Sequence, residues 1–492
     1  MSMRMICSIV ISIMVAAVCY FYKKIEDGWG GKNQKYVDYG EVYTIYHCFY
    51  WTLLIFVYRH PYYTWEERWQ KFLSWGIGSL VQGSLFFFVL LLVIPIFRKY
   101  ISAKACAHLW FFPMILIVSA EPFMAVTKPL LVLTVPNGFE KIILYVWFVG
   151  FLVVFGWYMV SHFWFYHSIL KDALPGASPE MVHMWRDACN KAKIVGLIEL
   201  ILSPKVKTPL SIGMFRKNIK IVLPVREYSP EQLQLIFRHE LIHINQRDSW
   251  KKFWLMLYTA CFWFNPLMWV AMKKSADDFE LSCDEIVLRD MSEENRRLYA
   301  ELLLQTVETH RGFTTCLSAS ASALRYRMRN IMKPRKRSYG SWVIGGVMFV
   351  LLMTSGYITC SYETVTGEAL LEQEERSVLT YVTFQAENQR KQHFTGLVRE
   401  KEIQDEVVAY LSQLEFRPLR GNYTFSNFEY DAFFSFGDSN NPNGVSNRKS
   451  IEFDKRFVRV VGFTDEFDQD MSYYYLASNV NWEYLYSLLE NL

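Results

Sequence analysis

The chain has 492 residues, of which 52% are apolar and 17% aromatic, with a formal net charge of +4. That balance is too hydrophobic for an average soluble enzyme and directs attention to the membrane. Nine cysteines are scattered along it, and the tail after Cys360 has none, which excludes a disulfide-stapled module there.

Apolar runs of about 20 residues mark membrane helices. They fall at about 6–22, 42–58, 75–97, 106–134, 141–165 and 341–360. The first carries a single basic residue and no small-x-small cleavage site, so a retained helix is expected rather than a signal peptide. Glu121 and Lys128 interrupt the fourth, which either ends near residue 120 or shelters both charges. His60, His162 and His167 lie in or near this bundle and are given no role.

Basic residues set the orientation. Lys333, Arg335, Lys336 and Arg337 abut the last span, and Arg98, Lys99 and Lys104 form a second basic loop. Lys23, Lys24, Lys32 and Lys35 form a third. The positive-inside rule puts all three in the cytosol, with the N-terminus and the tail outside. The tail after Cys360 has 22 acidic and 12 basic residues, a balance of −10. Topology alone produces this split, so no nucleic-acid partner is inferred. Cys189, Cys261, Cys283 and Cys316 would be cytosolic and need no disulfide.

Beyond a turn-rich boundary at residues 173–179, residues 180–195 read as a helix. Residues 211–215 and 220–224 read as a strand pair across Arg216, Lys217 and Asn218, suited to take a substrate chain in extended form. Ser229, Pro230 and Gln232 then open a helix with a cap, a first-turn proline and a capping-box glutamine. That helix carries His239-Glu240-Leu241-Ile242-His243. Residues four apart share a helix face, so His239 and His243 present two imidazoles to one zinc ion, with Glu240 beside them as a general base. Asn265-Pro266 opens the next helix, on which Glu280 and Asp284 share a face. A catalytic zinc takes three protein ligands and keeps one position open, which makes Glu280 the third ligand. Asp284 and Asp248 are the candidates for carboxylates that orient the ligand imidazoles. Asp277, Asp278 and Glu285 are read as a solvated helix face, and Arg296, Arg297, Arg325, Arg327 and Arg329 as solvating or facing lipid head groups. The apolar stretch 254–272, rich in tryptophan, is either a core hairpin or a re-entrant or membrane-surface element, and the second is favoured.

These residues resemble the BlaR/MecR-type antirepressor membrane metallopeptidases. The likeness rests on Thr208 to Pro224, His239 to His243 with Asp248, Phe264-Asn265-Pro266, and Glu280-x-x-Cys283-Asp284-Glu285, and covers roughly residues 140–360. It implies a gluzincin-like domain that faces the cytosol between membrane helices, with His239, His243 and Glu280 on zinc and Glu240 as the catalytic acid/base. It also implies an external sensor and a cytosolic repressor as partner. The tail departs from the best-known members. Ser446-x-x-Lys449 fits S-x-x-K but lies in a polar, Asn-rich, loop-like stretch, and no K-T-G or S-D-N follows it. A tail of about 130 residues is also short for a transpeptidase. Its patterns read as strands at 378–386, 393–398, 450–453 and 457–463, and helices at 400–414 and 481–492. Its dense aromatics are read as core.

The expectation is a multi-pass α-helical membrane protein with a cytosolic, mainly α (α+β), gluzincin-like zinc peptidase domain and a small extracytoplasmic α+β C-terminal domain. Residues 1–166 form a bundle of about five spans, 167–337 the peptidase, 338–360 a further span and 361–492 the sensor. The expected partners are membrane lipid, a cytosolic repressor and an external ligand, with a homodimer left open. Two rivals remain: a housekeeping membrane protease, and a receptor or scaffold that does not cleave.

Overall fold

A computed structural model of the chain describes residues 3–28, 65–112, 128–136, 139–174, 178–192, 194, 198–215, 218–289, 291–307, 321–332, 337–338, 340–355, 357–361, 364–371, 381–387, 393–398, 400–419, 432–438, 446–454, 456–463 and 469–489. Apolar sequence dominates the first elements, helix α1 (Met3–Gly28) and helix α2 (Trp65–Phe97). A short helix α3 (Ala103–Leu109) follows, capped by Ser102, and then strand β1 (Leu131–Thr134). Helix α4 (Phe139–Lys171) runs 33 residues, a length of about 50 Å at helical rise. Gly76–Phe97 and Lys141–Lys171 are long and apolar enough to cross a membrane. Next come helix α5 (Pro179–Lys191) and strands β2 (Glu199–Leu202), β3 (Leu210–Ile212) and β4 (Lys220–Leu223). The helical core then comprises α6 (Pro230–Asn245), α7 (Asp248–Cys261), α8 (Pro266–Val287), α9 (Glu293–Val307) and α10 (Ala321–Met332). Helix α11 (Ser341–Thr354) leads to the tail.

The described residues divide between two units, one within Met1–Ile55, Gly83–Ser119 and Val146–Met353, the other within Phe56–Gln82, Ala120–Tyr145 and Thr354–Leu492. In the first unit, β2, β4 and β3 form a three-stranded sheet in that order, β2 parallel and β3 antiparallel to β4. Ile201, Ile212 and Val222 of this sheet pack on Ile169 near the end of α4. Gly213 ends β3 with φ +100, and a Cβ there would lie 2.3 Å from the Asn218 carbonyl oxygen, so the turn requires glycine. Helices α7 and α8 form a hairpin along the membrane-length helices. Trp147 donates to the Cys261 carbonyl (2.7 Å), Trp263 donates to the Trp147 carbonyl (3.1 Å), and Asn265 donates to Ser84 Oγ (2.7 Å). Residues 254–272 thus form a helical hairpin, and its partners are helices long and apolar enough to cross a membrane.

In the second unit β5 (Ile358–Ser361) pairs in parallel with β1. Strands β6 (Val365–Thr366), β7 (Tyr381–Glu387) and β8 (His393–Val398), helix α12 (Lys401–Gln413), and strands β9 (Glu415–Pro418), β10 (Ala432–Asp438), β11 (Ser446–Asp454), β12 (Phe457–Phe463) and β13 (Gln469–Leu476) follow, closed by helix α13 (Trp482–Leu489). Eight of these strands build one antiparallel sheet, β6-β9-β13-β12-β11-β10-β7-β8. Val407 and Leu411 of α12 and Leu485 of α13 pack with Phe416, Phe434, Phe436 and Phe453. Phe434 is the core residue expected of the tail aromatics, whereas Tyr423, Phe425, Phe428 and Tyr430 lie outside the described residues.

Three expectations need correction. A single helix over 106–134 is excluded, because α3 ends at Leu109 and 131–134 is a strand; the alternative end near residue 120 falls among residues 113–127, which lie outside the described residues. The apolar run at 341–360 leaves the helix at Thr354 and becomes β5, where β-branched Ile358 and Thr359 pair with β1. Ser446 and Lys449 sit in strand β11 rather than a loop, with a register shift between them in the pairing to β10. The expected span at 42–58 lies outside the described residues.

Candidate metal centre

Helix α6 starts with the full capping box. Ser229 Oγ accepts from the Gln232 backbone N–H, and the Gln232 side chain accepts from the Ser229 N–H. Its apolar stripe, Leu233, Ile236, Phe237 and Leu241, packs on Trp185 of α5, Ile221 and Leu223 of β4, and Val287 of α8. Trp185 meets Phe237 edge-on and donates to the Ile198 carbonyl, which fixes α5 across the helix. With that stripe buried, His239 and His243 project together toward α8. After α6 the chain reverses at Arg247, which takes φ 53, and α7 begins with Asp248 returned onto His243.

The two histidine Nε2 atoms face one another at 3.0 Å. Glu280 closes on both, with Oε2 3.6 Å from His239 Nε2 and Oε1 3.7 Å from His243 Nε2. The far side of each ring is committed. His243 Nδ1 donates to Asp248 Oδ2 at 2.6 Å. The Tyr299 hydroxyl donates to Asp284 Oδ1 (2.6 Å), so its oxygen accepts from His239 Nδ1 (2.8 Å). In neutral rings both Nδ1 atoms therefore carry the proton, and both Nε2 lone pairs point at one spot beside a carboxylate. Two lone pairs this close repel unless a cation lies between them. Tetrahedral zinc sets such nitrogens about 3.3 Å apart, close to what is found here, so the donor set fits a divalent metal.

The electrostatics lean the same way. Burial alone would lower His239, but Cys283 and Glu280 beside it push it up to about 10. Burial also opposes the charge on His243, yet Cys283, Glu280 and Asp248 hold it well above the usual imidazole range. Burial would raise Glu280, but the two histidines and Arg327 hold it well below the usual carboxylate range. Burial would likewise raise Asp248, and Lys251 and His243 lower it. The pocket thus favours net positive charge between its imidazoles, which a metal supplies. Glu240 is buried next to His239, and among the described residues its carboxylate makes no hydrogen bond or ion pair.

All six expected site residues lie on α6, α7 and α8, and the structure adds two more. Tyr299 of α9 stands between His239 and Asp284, and Asp284 Oδ1 remains 4.0 Å from His239 Nδ1. Arg327 of α10 grips Asp284 with two bonds, Nε to Oδ2 at 2.7 Å and Nη2 to Oδ1 at 2.8 Å, and its Nη1 lies 3.4 Å from Glu280. Arg327 is therefore buried, not solvating. The solvated reading of Asp277, Asp278 and Glu285 is also overturned. Asp277 is buried, and Asp278 is fully buried on Arg98 and Trp110. Glu285 accepts from the Ala103 N–H and pairs with Arg337. Helix packing gives Asp278 and Glu285 partners, and Asp277 lies 3.9 Å from Lys274 of its own helix, which makes their burial tolerable.

Residues 129–331 match the family model of the BlaR1 peptidase M56. The chain carries a BlaR/MecR-type peptidase domain. The match takes in every residue of the centre, from His239 to Arg327. Regulatory protein BlaR1 of Bacillus licheniformis is 25% identical over 148 residues, 30% of this chain and 25% of that protein. The methicillin resistance mecR1 protein of Staphylococcus aureus (strain Mu50 / ATCC 700699) is 26% identical over 111 residues, 22% of this chain and 19% of that protein. The chain spans a quarter or less of the length of these relatives. With the two membrane-length helices, the domain fits a membrane protein.

Proposed function

We propose that the chain is an integral membrane zinc endopeptidase working as a sensor-transducer. It would cleave itself, a cytosolic transcriptional repressor, or both, after a signal reaches the external tail. The observation that carries this reading is the pair of His239 and His243 Nε2 lone pairs, 3.0 Å apart, that converge beside Glu280. His239, His243 and Glu280 would hold the ion, which supplies Lewis acidity to a peptide carbonyl and a nearby water. Asp248 aims His243, and the relay through Tyr299 to Asp284 aims His239. Glu240 accepts the proton of the attacking water and returns it to the leaving amine. Strand β3, at the sheet edge, suits a substrate chain added in extended form. Exposed Val153, Trp157, Val160 and Trp164 on α4 suit lipid. By the positive-inside rule, the basic segments favour a cytosolic peptidase and an external tail. The designations of the relatives, a regulatory protein and a resistance protein, favour signalling over housekeeping.

The test is Glu240→Gln in the full chain. Zinc content should persist, while signal-induced cleavage of chain and repressor should fall roughly 10²–10⁴-fold, the usual weight of a general base. Unchanged cleavage would refute the mechanism. Absence of zinc from the folded wild-type chain would refute the metal.

A further inference from the structure

Residues 253–272 carry no charged side chain, and Lys252 and Lys273 close the run on either side. They make up most of α7, the turn at 262–265 and the start of α8, so the run folds back on itself. Its turn is pressed against the two membrane-length helices. A Cβ on Gly83 of α2 would fall 2.9 Å from the Phe262 ring, and one on Gly150 of α4 would strike the Trp263 indole. Its open end meets α4 farther along. Phe253 packs edge-on against Phe155, and Tyr158 stacks on Trp269 and donates to Met272 Sδ at 3.5 Å. On the other side Asn265 bonds Ser84 and Asp278 bonds Arg98, so α8 keeps beside α2 over about 20 Å. Side chains also serve the backbone of the turn. Trp147 donates to the Cys261 carbonyl, Trp269 donates to the Trp263 carbonyl at 3.0 Å, and Asn265 Oδ1 accepts from the Leu267 N–H at 3.0 Å. Water does this at an exposed turn, whereas in hydrocarbon the protein has to. Yet Phe264, Trp269 and Val270 stay exposed.

We infer that residues 253–272 form a re-entrant hairpin whose outer face is covered by lipid acyl chains, with its turn near the bilayer midplane and its open end at the head groups on the peptidase side. Three lengths agree. Lys252 to Phe262 is about 15 Å along α7, half of a hydrocarbon core of about 30 Å. Asn265 to Lys273 is about 12 Å along α8. On α4, Gly150 lies about 14 Å from Lys141, so the turn is also half a core away from the charge at the far end of that helix. The hairpin of a water-soluble core would bury Phe264, Trp269 and Val270, and a hairpin lying flat on the surface would not run alongside α2 and α4. The placement depends on those two helices crossing the membrane and not on the metal. It has a consequence for the metal centre proposed above. Glu280 follows Lys273 on the same helix by about 10 Å, so the centre stands that close to the head groups, and a chain to be cut must come to the lipid surface.

The test uses the full-length wild-type chain in vesicles of phosphatidylcholine and phosphatidylglycerol that contain one of two photoreactive phospholipids. One carries a diazirine at the end of an acyl chain, the other on the head group. Light expels dinitrogen, the carbene inserts into a neighbouring side chain, and mass spectrometry locates the adduct. The acyl-chain probe should label Phe264 and Val270 to the same extent as Val153 and Trp157 of α4, and should spare Phe215 and Val225, which are exposed on the peptidase. The head-group probe should label Lys273 and spare Phe264. Labelling of Phe264 by the head-group probe alone would overturn re-entry and lay the hairpin on the surface. An α4 labelled by the acyl-chain probe beside a hairpin that neither probe labels would overturn lipid as the occupant and mean that protein covers this face. Acyl-chain labelling of neither element would overturn the crossing of the membrane by α4, and the hairpin's place with it.

Discussion

Tyr299→Phe removes one oxygen and tests how the centre is held. That oxygen accepts from His239 Nδ1 at 2.8 Å and donates to Asp284 Oδ1 at 2.6 Å. Without it, the buried His239 N–H loses its hydroxyl partner, at a cost of about 1–3 kcal/mol for an unsatisfied group, while Asp284 Oδ1 keeps its bond from Arg327. Asp284 cannot simply slide in. It lies 4.0 Å from the ring nitrogen and is pinned by two bonds from Arg327. His239 is then free to rotate or change tautomer, and partners of this kind are worth 10–100-fold in metal affinity. That range is about 1.4–2.8 kcal/mol, which matches the cost of the lost bonds. The assay is competition for zinc against a chelator of known affinity, run beside thermal unfolding of the metal-free chain. Affinity should drop 10–100-fold and the unfolding temperature should fall. A variant that binds zinc as tightly as the wild type would refute the relay and leave Tyr299 as a packing residue.

Two further outcomes follow from the geometry. In the metal-free chain His239 is raised from its ordinary value to about 10. Its protonation therefore stabilises the fold fully below about pH 6.5, and that contribution is lost as pH rises through about 10. The metal-free unfolding temperature should decline across this window and the zinc-loaded one should not, because the ion replaces the proton; zinc affinity should climb with pH over the same range. Parallel curves for the two forms would count against a metal between the imidazoles. Gly213→Ala places a methyl group 2.3 Å from the Asn218 carbonyl oxygen at φ +100. It should destabilise the peptidase unit by more than about 1 kcal/mol in denaturant unfolding, and no loss would mean that the β3–β4 turn relaxes freely.

The sequence is legible where chemistry follows from local spacing. His239 and His243 are one helical turn apart, and the Ser229–Gln232 box marks where that helix starts, so both imidazoles and their face can be read directly. Glu280 is readable as one carboxylate on the next capped helix. Tyr299 and Arg327 are not, because their roles depend on how α9 and α10 pack over α8. Arg325, Arg327 and Arg329 look alike in one dimension, and only the rotation of α10 buries Arg327 while Arg325 and Arg329 stay exposed. Asp277 and Asp278 mislead for the same reason, since the partners of Asp278 lie 180 and 168 residues away. Strands β1 and β5 hide inside apolar runs, where four-residue strands and membrane helices share a composition. Cys283 is visible as a letter in the motif, but its distance to the imidazoles depends on two helices meeting.

The buried Asp278 ties the proposed metal site to the end of a membrane-length helix. Arg98, just past α2, pairs with Asp278 Oδ1 at 2.7 Å, and Trp110 donates to Oδ2 at 2.8 Å. Asp278 precedes Glu280 by two residues on the rigid helix α8, so whatever shifts Asp278 shifts Glu280 too. Removing one partner of a buried pair strands the other charge and costs about 3–5 kcal/mol, whereas removing both charges together is often close to neutral. Arg98→Met alone should therefore destabilise the chain and lower its zinc content. Adding Asp278→Asn, which can still accept from Trp110, should restore stability. If zinc content returns with it, the pair serves packing. If stability returns while zinc stays depleted, the arginine itself positions α8 for the metal, and movement of the α2 end has a direct route to Glu280. Single and double variants that match the wild type in both measurements would show that α8 is held by its apolar contacts alone.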